Sequence, residues 1–120
     1  MTSFDAIFQT GDGHSIFNIE NRQNINTNVG FMENGYLYEL IIGEHVWIGR
    51  RDFLLGGRTT IGNGSIIGAQ SLVKGKFANN VIIAGDPGKV IRKNVAWSRK
   101  SSTNNLEDCG AYIELTKDFV

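Results

Sequence analysis

The sequence has little cysteine, histidine or proline. Cys109 is the one cysteine, so no disulfide can form within the chain, and two histidines do not make a ligand set for structural zinc. Twelve basic residues balance twelve acidic ones, which argues against a nucleic acid or an anionic membrane as partner. No apolar run approaches the roughly 20 residues of a membrane span, and the first ten residues lack the features of a signal peptide. We therefore expect a cytoplasmic protein without metal or membrane span.

Glycine, asparagine and β-branched residues are abundant. The chain of 120 residues contains 14 Ile and 7 Val against 7 Leu and 6 Ala, together with 15 Gly and 12 Asn. β-branched residues favour strands, and Gly and Asn enter left-handed backbone conformations most easily. The length suits one domain. This composition predicts an all-β protein of short strands and tight turns.

A six-residue repeat runs through the middle of the chain. An aliphatic residue followed by glycine recurs at Ile42, Ile48, Leu55, Ile61 and Ile67, and Val73 continues the series. Four positions after these aliphatics stand Val46, Asp52, Thr59, Ser65 and Ser71, most of which are small or β-branched. A period of six fits neither a helix nor a long strand, but three hexads can form one coil of a triangular prism with the aliphatics inside. A β-sandwich of hairpins is the alternative, because Asn34-Gly35 and Gly62-Asn63-Gly64 are good turn sequences.

Several segments depart from the repeat. Ile48 and Ile61 are one residue too far apart, so we expect a bulged corner where either Leu54 or a residue of the glycine pair 56–57 is inserted. Residues 15–40 are predicted to form a protruding loop, with Phe17, Ile19, Ile25 and Phe31 available to anchor it. We predict a β-helix domain over residues 1–97 and a short irregular C-terminal extension over 98–120. Within the extension, we expect a flexible linker over 98–110 and a short strand in the last ten residues.

Residues 41–94 resemble the hexapeptide-repeat acyltransferases, whose fold is a left-handed parallel β-helix. Trp47 lies in a VWIG element similar to that of the family, and residues 84–92 are similar to its exit from the last coil. The segment GDGHSIFN, residues 11–18, resembles the histidine motif of the branch that O-acetylates sugars in capsular and other surface polysaccharides. Such relatives have further coils ahead of this motif, which predicts an incomplete first coil and leaves open whether N-terminal coils are missing.

The resemblance implies a homotrimer with sites at subunit interfaces, acetyl-CoA as co-substrate, and a hydroxyl of a sugar or polysaccharide precursor as acceptor. It implies that His14 is the general base; a loop histidine that only bonds backbone is the alternative. Asp12 could orient the imidazole or be a turn residue, with Glu33 and Glu39 as rival carboxylates. His45 falls in the variable part of its hexad and is interpreted as surface structure.

Trp47 is expected on the outer face, as a wall for a sugar ring or the pantetheine arm, or as packing between subunits. The resemblance implies backbone contacts to coenzyme A at Arg50 and Ala69, and Arg50 is larger than the residues that suit such contact. Lys74, Lys89 and Arg92 match positions near the nucleotide phosphates, and solvated surface charge is the alternative. Other functions stay open: N-acetylation of an amino sugar, serine acetylation, or a catalytically silent β-helix scaffold.

Overall fold

The computed structural model describes residues 1–11, 13–26, 31–33 and 35–117 of the chain. These residues contain twelve short strands: β1 (Ile7–Gln9), β2 (Phe31–Glu33), β3 (Tyr36–Tyr38), β4 (Leu40–Ile42), β5 (Trp47–Ile48), β6 (Phe53–Leu55), β7 (Thr59–Ile61), β8 (Ile66–Ile67), β9 (Leu72–Val73), β10 (Lys76–Phe77), β11 (Ile82–Gly85) and β12 (Gly88–Arg92). One short 3-10 helix follows at Leu106–Cys109. The all-β prediction is therefore confirmed.

The strands form three parallel sheets that the chain visits in rotation. Sheet 1 contains β1, β6 and β9; sheet 2 contains β4, β7 and β10; sheet 3 contains β5, β8 and β11, with β12 added antiparallel at its edge. From β4 to β11 each successive strand lies on the next sheet, so three strands complete one coil. The protein is therefore a three-sided parallel β-helix, as the hexad repeat predicts.

The coils depart from three perfect hexads at one corner of the prism. Leu54 is fully buried and pairs in register with Val73, so Leu54 and not Leu55 occupies the inward aliphatic position. The extra residue therefore lies after Leu54, at a corner where Gly57 and Arg58 both have positive φ. One coil later the same corner is two residues short of a hexad, since Phe77 follows Val73 by four positions and still pairs below Ile61. The six-residue repeat does not predict this shortened corner.

The interior of the prism is a column of aliphatic side chains with small residues between them. Nine residues form the buried core: Val46, Ile48, Leu54, Ile61, Ile67, Val73, Phe77, Val81 and Ile83. The small positions of the hexads are also buried, and their polar atoms bond backbone except for Asp52 Oδ2; the Ser65 hydroxyl, for example, donates to the Ala78 carbonyl at 3.1 Å. This burial explains why the repeat requires both residue types.

The glycines of the repeat let successive coils approach closely. A Cβ added to Gly49 would lie 2.6 Å from the Ile67 carbonyl oxygen and 2.8 Å from the Ala69 nitrogen. A Cβ on Gly62 would lie 2.5 Å from backbone atoms of Ala78 and Asn79. Both positions require glycine because the neighbouring coil leaves no room for a side chain.

The first residues add strands to two of the three sheets. Thr2 forms a parallel bridge with Ile48 on sheet 3, and β1 pairs with β6 on sheet 1, whereas β4 is the outermost described strand of sheet 2. Within the described residues, the first coil therefore has strands or bridges on sheets 3 and 1 ahead of β4. Ile7 and Phe8 of β1 are about half exposed.

The segment between β1 and β4 protrudes from the prism and contains structure of its own. β2 and β3 form an antiparallel hairpin, and Phe17 bridges Asn24. The prediction that apolar residues anchor this loop is wrong for Phe17, Ile19 and Ile25, whose side chains are more than half exposed. The side chain of Phe31 lies outside the described residues.

The C-terminal extension is docked against the prism, and the segment predicted as a linker contains the 3-10 helix, in which Asp108 accepts hydrogen bonds from Thr103 and Lys100. Asn94 and Thr116 exchange backbone-to-side-chain hydrogen bonds of 2.7 Å, and the Thr116 hydroxyl donates to the Asn80 carbonyl at 2.9 Å. The Asn80 amide donates to the Tyr112 carbonyl at 2.7 Å. No strand forms over residues 111–117, because these hydrogen bonds run to corner residues and not to a sheet edge.

Candidate active site

His14 lies on the protruding segment, where an asparagine side chain holds its backbone. The Asn26 amide nitrogen donates to the His14 carbonyl at 2.7 Å, and the Asn26 carbonyl oxygen accepts from the Ile16 nitrogen at 2.8 Å. Gly13 precedes the histidine with a φ of 74°, which places a sharp bend there. The His14 side chain is exposed. Asn26 therefore fixes the backbone on both sides of Ser15 and leaves the imidazole open to solvent.

Glu39 bonds the chain just before the histidine. Its carboxylate accepts from the Gly11 nitrogen at 3.2 Å. Glu39, Gly11 and Lys74 line a small cavity of about 50 Å³ together with Asn26, so Lys74 lies beside the His14 segment. Asp12 lies outside the described residues, as does the side chain of Glu33, so their predicted roles stay predictions.

Trp47 stands on the outer face of sheet 3, as expected. Val46 and Ile48 on either side of it are buried, whereas Trp47 is 38% exposed. In register it pairs with Ile66, which pairs with Ile82, which pairs with Arg92. These four residues form a row across the sheet. Three strand spacings separate Trp47 from Arg92, or about 14 Å, and the row runs from an indole through two half-buried isoleucines to an exposed guanidinium.

Lys89, Arg50 and Ala69 lie beside this row. Lys89 is exposed on β12 and pairs with Ala84. Arg50 and Ala69 are exposed at the corner between sheets 3 and 1, where successive coils approach and the Gln70 nitrogen donates to the Arg50 carbonyl at 2.8 Å. The Arg50 guanidinium lies over the Phe4 ring at 5.4 Å and not over the corner backbone.

The predicted residues thus form two groups on one chain. His14 and Lys74 belong to the corner between sheets 1 and 2, whereas Trp47, Lys89 and Arg92 belong to sheet 3. Sheet 3 is the face opposite that corner of the prism, so sheets 1 and 2 both lie between the two groups. Among the described residues, no contact joins His14 to Trp47 within one chain.

His45 anchors the C-terminal extension, which the sequence analysis did not predict. Its ring stacks on Trp97 with centroids 3.9 Å apart and lies 5.2 Å from the Tyr112 ring. His45 Nε2 is 2.9 Å from the Trp97 carbonyl, which can only accept, so Nε2 carries the proton and Nδ1 accepts from Arg99 at 3.0 Å. Both ring nitrogens are thus occupied, which supports a structural role.

Three carboxyl or phenol groups near these elements have displaced pKa values. Burial raises the pKa of Asp52, although the Ser71 and Gly49 backbones oppose the shift. Hydrogen bonds from Thr103 and Lys100 lower the pKa of Asp108, and a bond to Glu44 raises the pKa of Tyr112. None of these groups lies in the His14 segment.

Within the described ranges, no helix combines the length and apolar character needed to cross a bilayer. The same residues include no cluster of three or more His, Cys, Asp or Glu side chains arranged for a metal ion.

Fold and motifs together define a left-handed parallel β-helix of the hexapeptide-repeat type. No family model matches the sequence. Polysialic acid O-acetyltransferase of Escherichia coli O1:K1 / APEC is 31% identical over 115 residues, covering 93% of this chain and 34% of the relative. The putative lipopolysaccharide biosynthesis O-acetyl transferase WbbJ of Escherichia coli K12 is 46% identical over 54 residues, covering 45% of this chain and 27% of the relative.

A solved structure of a polysialic acid acetyltransferase is also similar to this chain. The crystal structure of the polySia-specific acetyltransferase NeuO matches with a TM-score of 0.76 and 32% identity, over 90% of this chain and 43% of that one. The chain is thus similar to sugar and polysaccharide O-acetyltransferases, and it shares the left-handed β-helix fold of the solved structure. It spans between about a quarter and a third of the length of the curated relatives it matches.

Proposed function

We propose that the protein transfers an acetyl group from acetyl-CoA to a hydroxyl of a sugar or a surface-polysaccharide precursor. Both curated relatives described above are named as O-acetyltransferases, one of polysialic acid and one of lipopolysaccharide biosynthesis. The observation that carries the proposal is the exposed imidazole of His14 on a backbone held by Asn26. We propose that the reaction takes place in the cytoplasm, as expected from the sequence.

His14 acts as the general base in this proposal. Its imidazole removes the proton of the acceptor hydroxyl while the hydroxyl oxygen attacks the thioester carbonyl carbon. The tetrahedral intermediate collapses by breaking the carbon–sulfur bond, and the imidazolium returns the proton to the departing thiolate. The products are an acetyl ester and coenzyme A, and no acyl-enzyme forms. Such a base contributes about 10²–10⁴ in rate.

Acetyl-CoA is proposed to lie along the outer face of sheet 3. The row from Trp47 to Arg92 offers an apolar surface for the pantetheine arm and a cation for the phosphates. Ala69 leaves the corner backbone accessible, and Lys89 adds a second cation beside Arg92. Lys74 is placed instead near His14, so we propose that it acts at the acceptor end.

We propose that the active unit is a homotrimer in which each site uses two chains. The position of His14 at the corner opposite sheet 3 supports this arrangement, because a neighbouring prism can bring its own sheet 3 to the histidine corner. Flat prism sides pair readily about a threefold axis.

The test is thiol release from acetyl-CoA in the presence of sialic acid oligomers and lipopolysaccharide glycans. We expect His14→Ala to lower the rate by about 10² or more, while the neighbouring Ser15→Ala variant retains it. Equal rates for the two variants would remove His14 from the mechanism. Thiol release that no acceptor stimulates, together with no binding of coenzyme A by calorimetry, would favour the silent scaffold.

A further inference from the structure

A cleft of about 470 Å³ lies between Trp47 and the C-terminal extension. Trp97 and Leu106 line it beside Trp47, and polar side chains of Lys100 and Asn104 complete the lining. The exposed ring of Trp47 forms the apolar wall, and the buried Trp97 ring supports it from 5.7 Å away at an inclination of 49°. Apart from Trp47, which borders the proposed acetyl-CoA surface, the mechanism above uses no residue of this cleft.

The outer wall of the cleft is held at both ends. At one end Trp97 stacks on His45, and its indole nitrogen donates to the His45 carbonyl at 2.9 Å. At the other end the Asn80 side-chain amide donates a hydrogen bond to the Tyr112 carbonyl. Between these points Asp108 accepts hydrogen bonds from Lys100 and Thr103. The wall is therefore organised before any ligand binds, which reduces the entropy lost on binding.

We propose that this cleft binds a sugar residue of the acceptor glycan, next to the residue that is acetylated. A sugar ring presents an apolar face that suits an indole wall and hydroxyls that suit the amide of Asn104 and the ammonium of Lys100. The volume falls within the range of small-molecule sites. Trp47 joins the cleft to the proposed acetyl-CoA surface, so a glycan chain seated there continues toward the reacting hydroxyl.

The cleft contains its own spectroscopic probe, because Trp47 and Trp97 are the two tryptophans of the chain. Oligomers of one, two and five residues, from polysialic acid and from the glycan of lipopolysaccharide, are titrated while indole fluorescence is recorded. We expect at least one pentamer to change the emission and to bind about tenfold or more tightly than its monomer. Pentamers that leave the emission unchanged, or bind no better than monomers, would overturn the proposal.

Variants separate the subsite from the reaction. Asn104→Ala is expected to weaken pentamer binding about three- to tenfold, the loss of one hydrogen bond, and Lys100→Ala to weaken it similarly. Lys117→Ala, an exposed lysine of the same extension outside the cleft, serves as the control and is expected to bind normally. Equal pentamer affinities in all three variants would contradict the assignment.

This inference rests on the proposed function, and the two can fail separately. In the transfer assay we expect Asn104→Ala to raise KM for the pentamer, with kcat and the kinetics on the monomer unchanged. Glycan binding without transfer to any acceptor would refute the proposed function and keep the subsite. Transfer with the same KM for monomer and pentamer would keep the function and refute the subsite.

Discussion

Replacing Gly49 by alanine tests how closely the coils stack. The added Cβ would lie 2.6 Å from the Ile67 carbonyl oxygen, and the atoms around it belong to backbone that cannot rotate away. Relieving this contact requires the coils to separate by about 0.8 Å, which would stretch the 2.9 Å hydrogen bond from the Gly49 nitrogen to the same oxygen beyond bonding range. Overpacking of about 1–3 kcal/mol and a lost hydrogen bond of about 1 kcal/mol together destabilise the fold by about 2–4 kcal/mol.

Gly68 provides the matched control, since it follows the paired aliphatic one coil later. A Cβ there would meet the Ala84 methyl at 3.3 Å and the Ile83 oxygen at 3.6 Å, with no closer backbone atom. Alanine also restricts the unfolded chain, which favours folding by about 0.4–1 kcal/mol. We expect Gly68→Ala to unfold in urea within about 1 kcal/mol of the parent protein, followed by far-UV circular dichroism. Equal stabilities of Gly49→Ala and Gly68→Ala would refute the stacking argument.

Three further predictions concern the core, a buried carboxyl and the histidine segment. Leu54→Ala is expected to lower the free energy of unfolding by about 2–5 kcal/mol. Because Leu55 is only half-buried, Leu55→Ala is expected to lower it by about 1 kcal/mol. A larger loss for Leu55→Ala in urea titrations would contradict the assignment of Leu54 to the inward position. Asp52 is fully buried with Oδ2 unpaired, and burial raises the pKa of its carboxyl group. The folded state therefore binds the Asp52 proton more tightly than the unfolded state does. As a result, the free energy of unfolding falls as pH rises from 4 through the folded pKa. Asp52→Asn is therefore expected to be more stable than the parent at pH 7 by about 1–3 kcal/mol, with a smaller difference at pH 4, and equal pH profiles in thermal unfolding would exclude this explanation. Asn26→Ala removes both hydrogen bonds that hold the backbone beside His14, and we expect it to lower kcat about tenfold. The affinity for coenzyme A, measured by calorimetry, is expected to stay the same. An unchanged kcat would show that the loop holds its shape without Asn26.

The prism could be predicted because its signal is local and repeated. Each hexad carries its own aliphatic residue and glycine, so the six-residue spacing can still be recognised after one irregular corner. The position of the extra residue could not be predicted, since Leu54 and Leu55 are adjacent aliphatics and only the pairing of Leu54 with Val73 decides between them. The shortened corner after Val73 could not be predicted from the aliphatic-glycine pairs, because Ala78 and not a glycine follows Phe77.

The docked extension could not be predicted because it depends on contacts between distant residues. Trp97, His45 and Tyr112 follow no common spacing, yet they stack in one cluster. The sequence around residue 100 is polar, which usually indicates a linker, whereas Asn80 and Thr116 fix the segment beyond it. Asn26 was also missed; the abundance of asparagine in the loop was the available signal.

The most direct test of the two-chain site mixes two inactive variants. His14→Ala and Trp47→Ala are each expected to release little thiol from acetyl-CoA, because each lacks one half of every site. When the two are unfolded together and reassembled in equal amounts, we predict recovery of about a quarter of the parent rate per chain, the fraction of sites in which a chain with His14 meets a neighbour with Trp47. A mixture as inactive as its two components would contradict the claim that neighbouring prisms share the site.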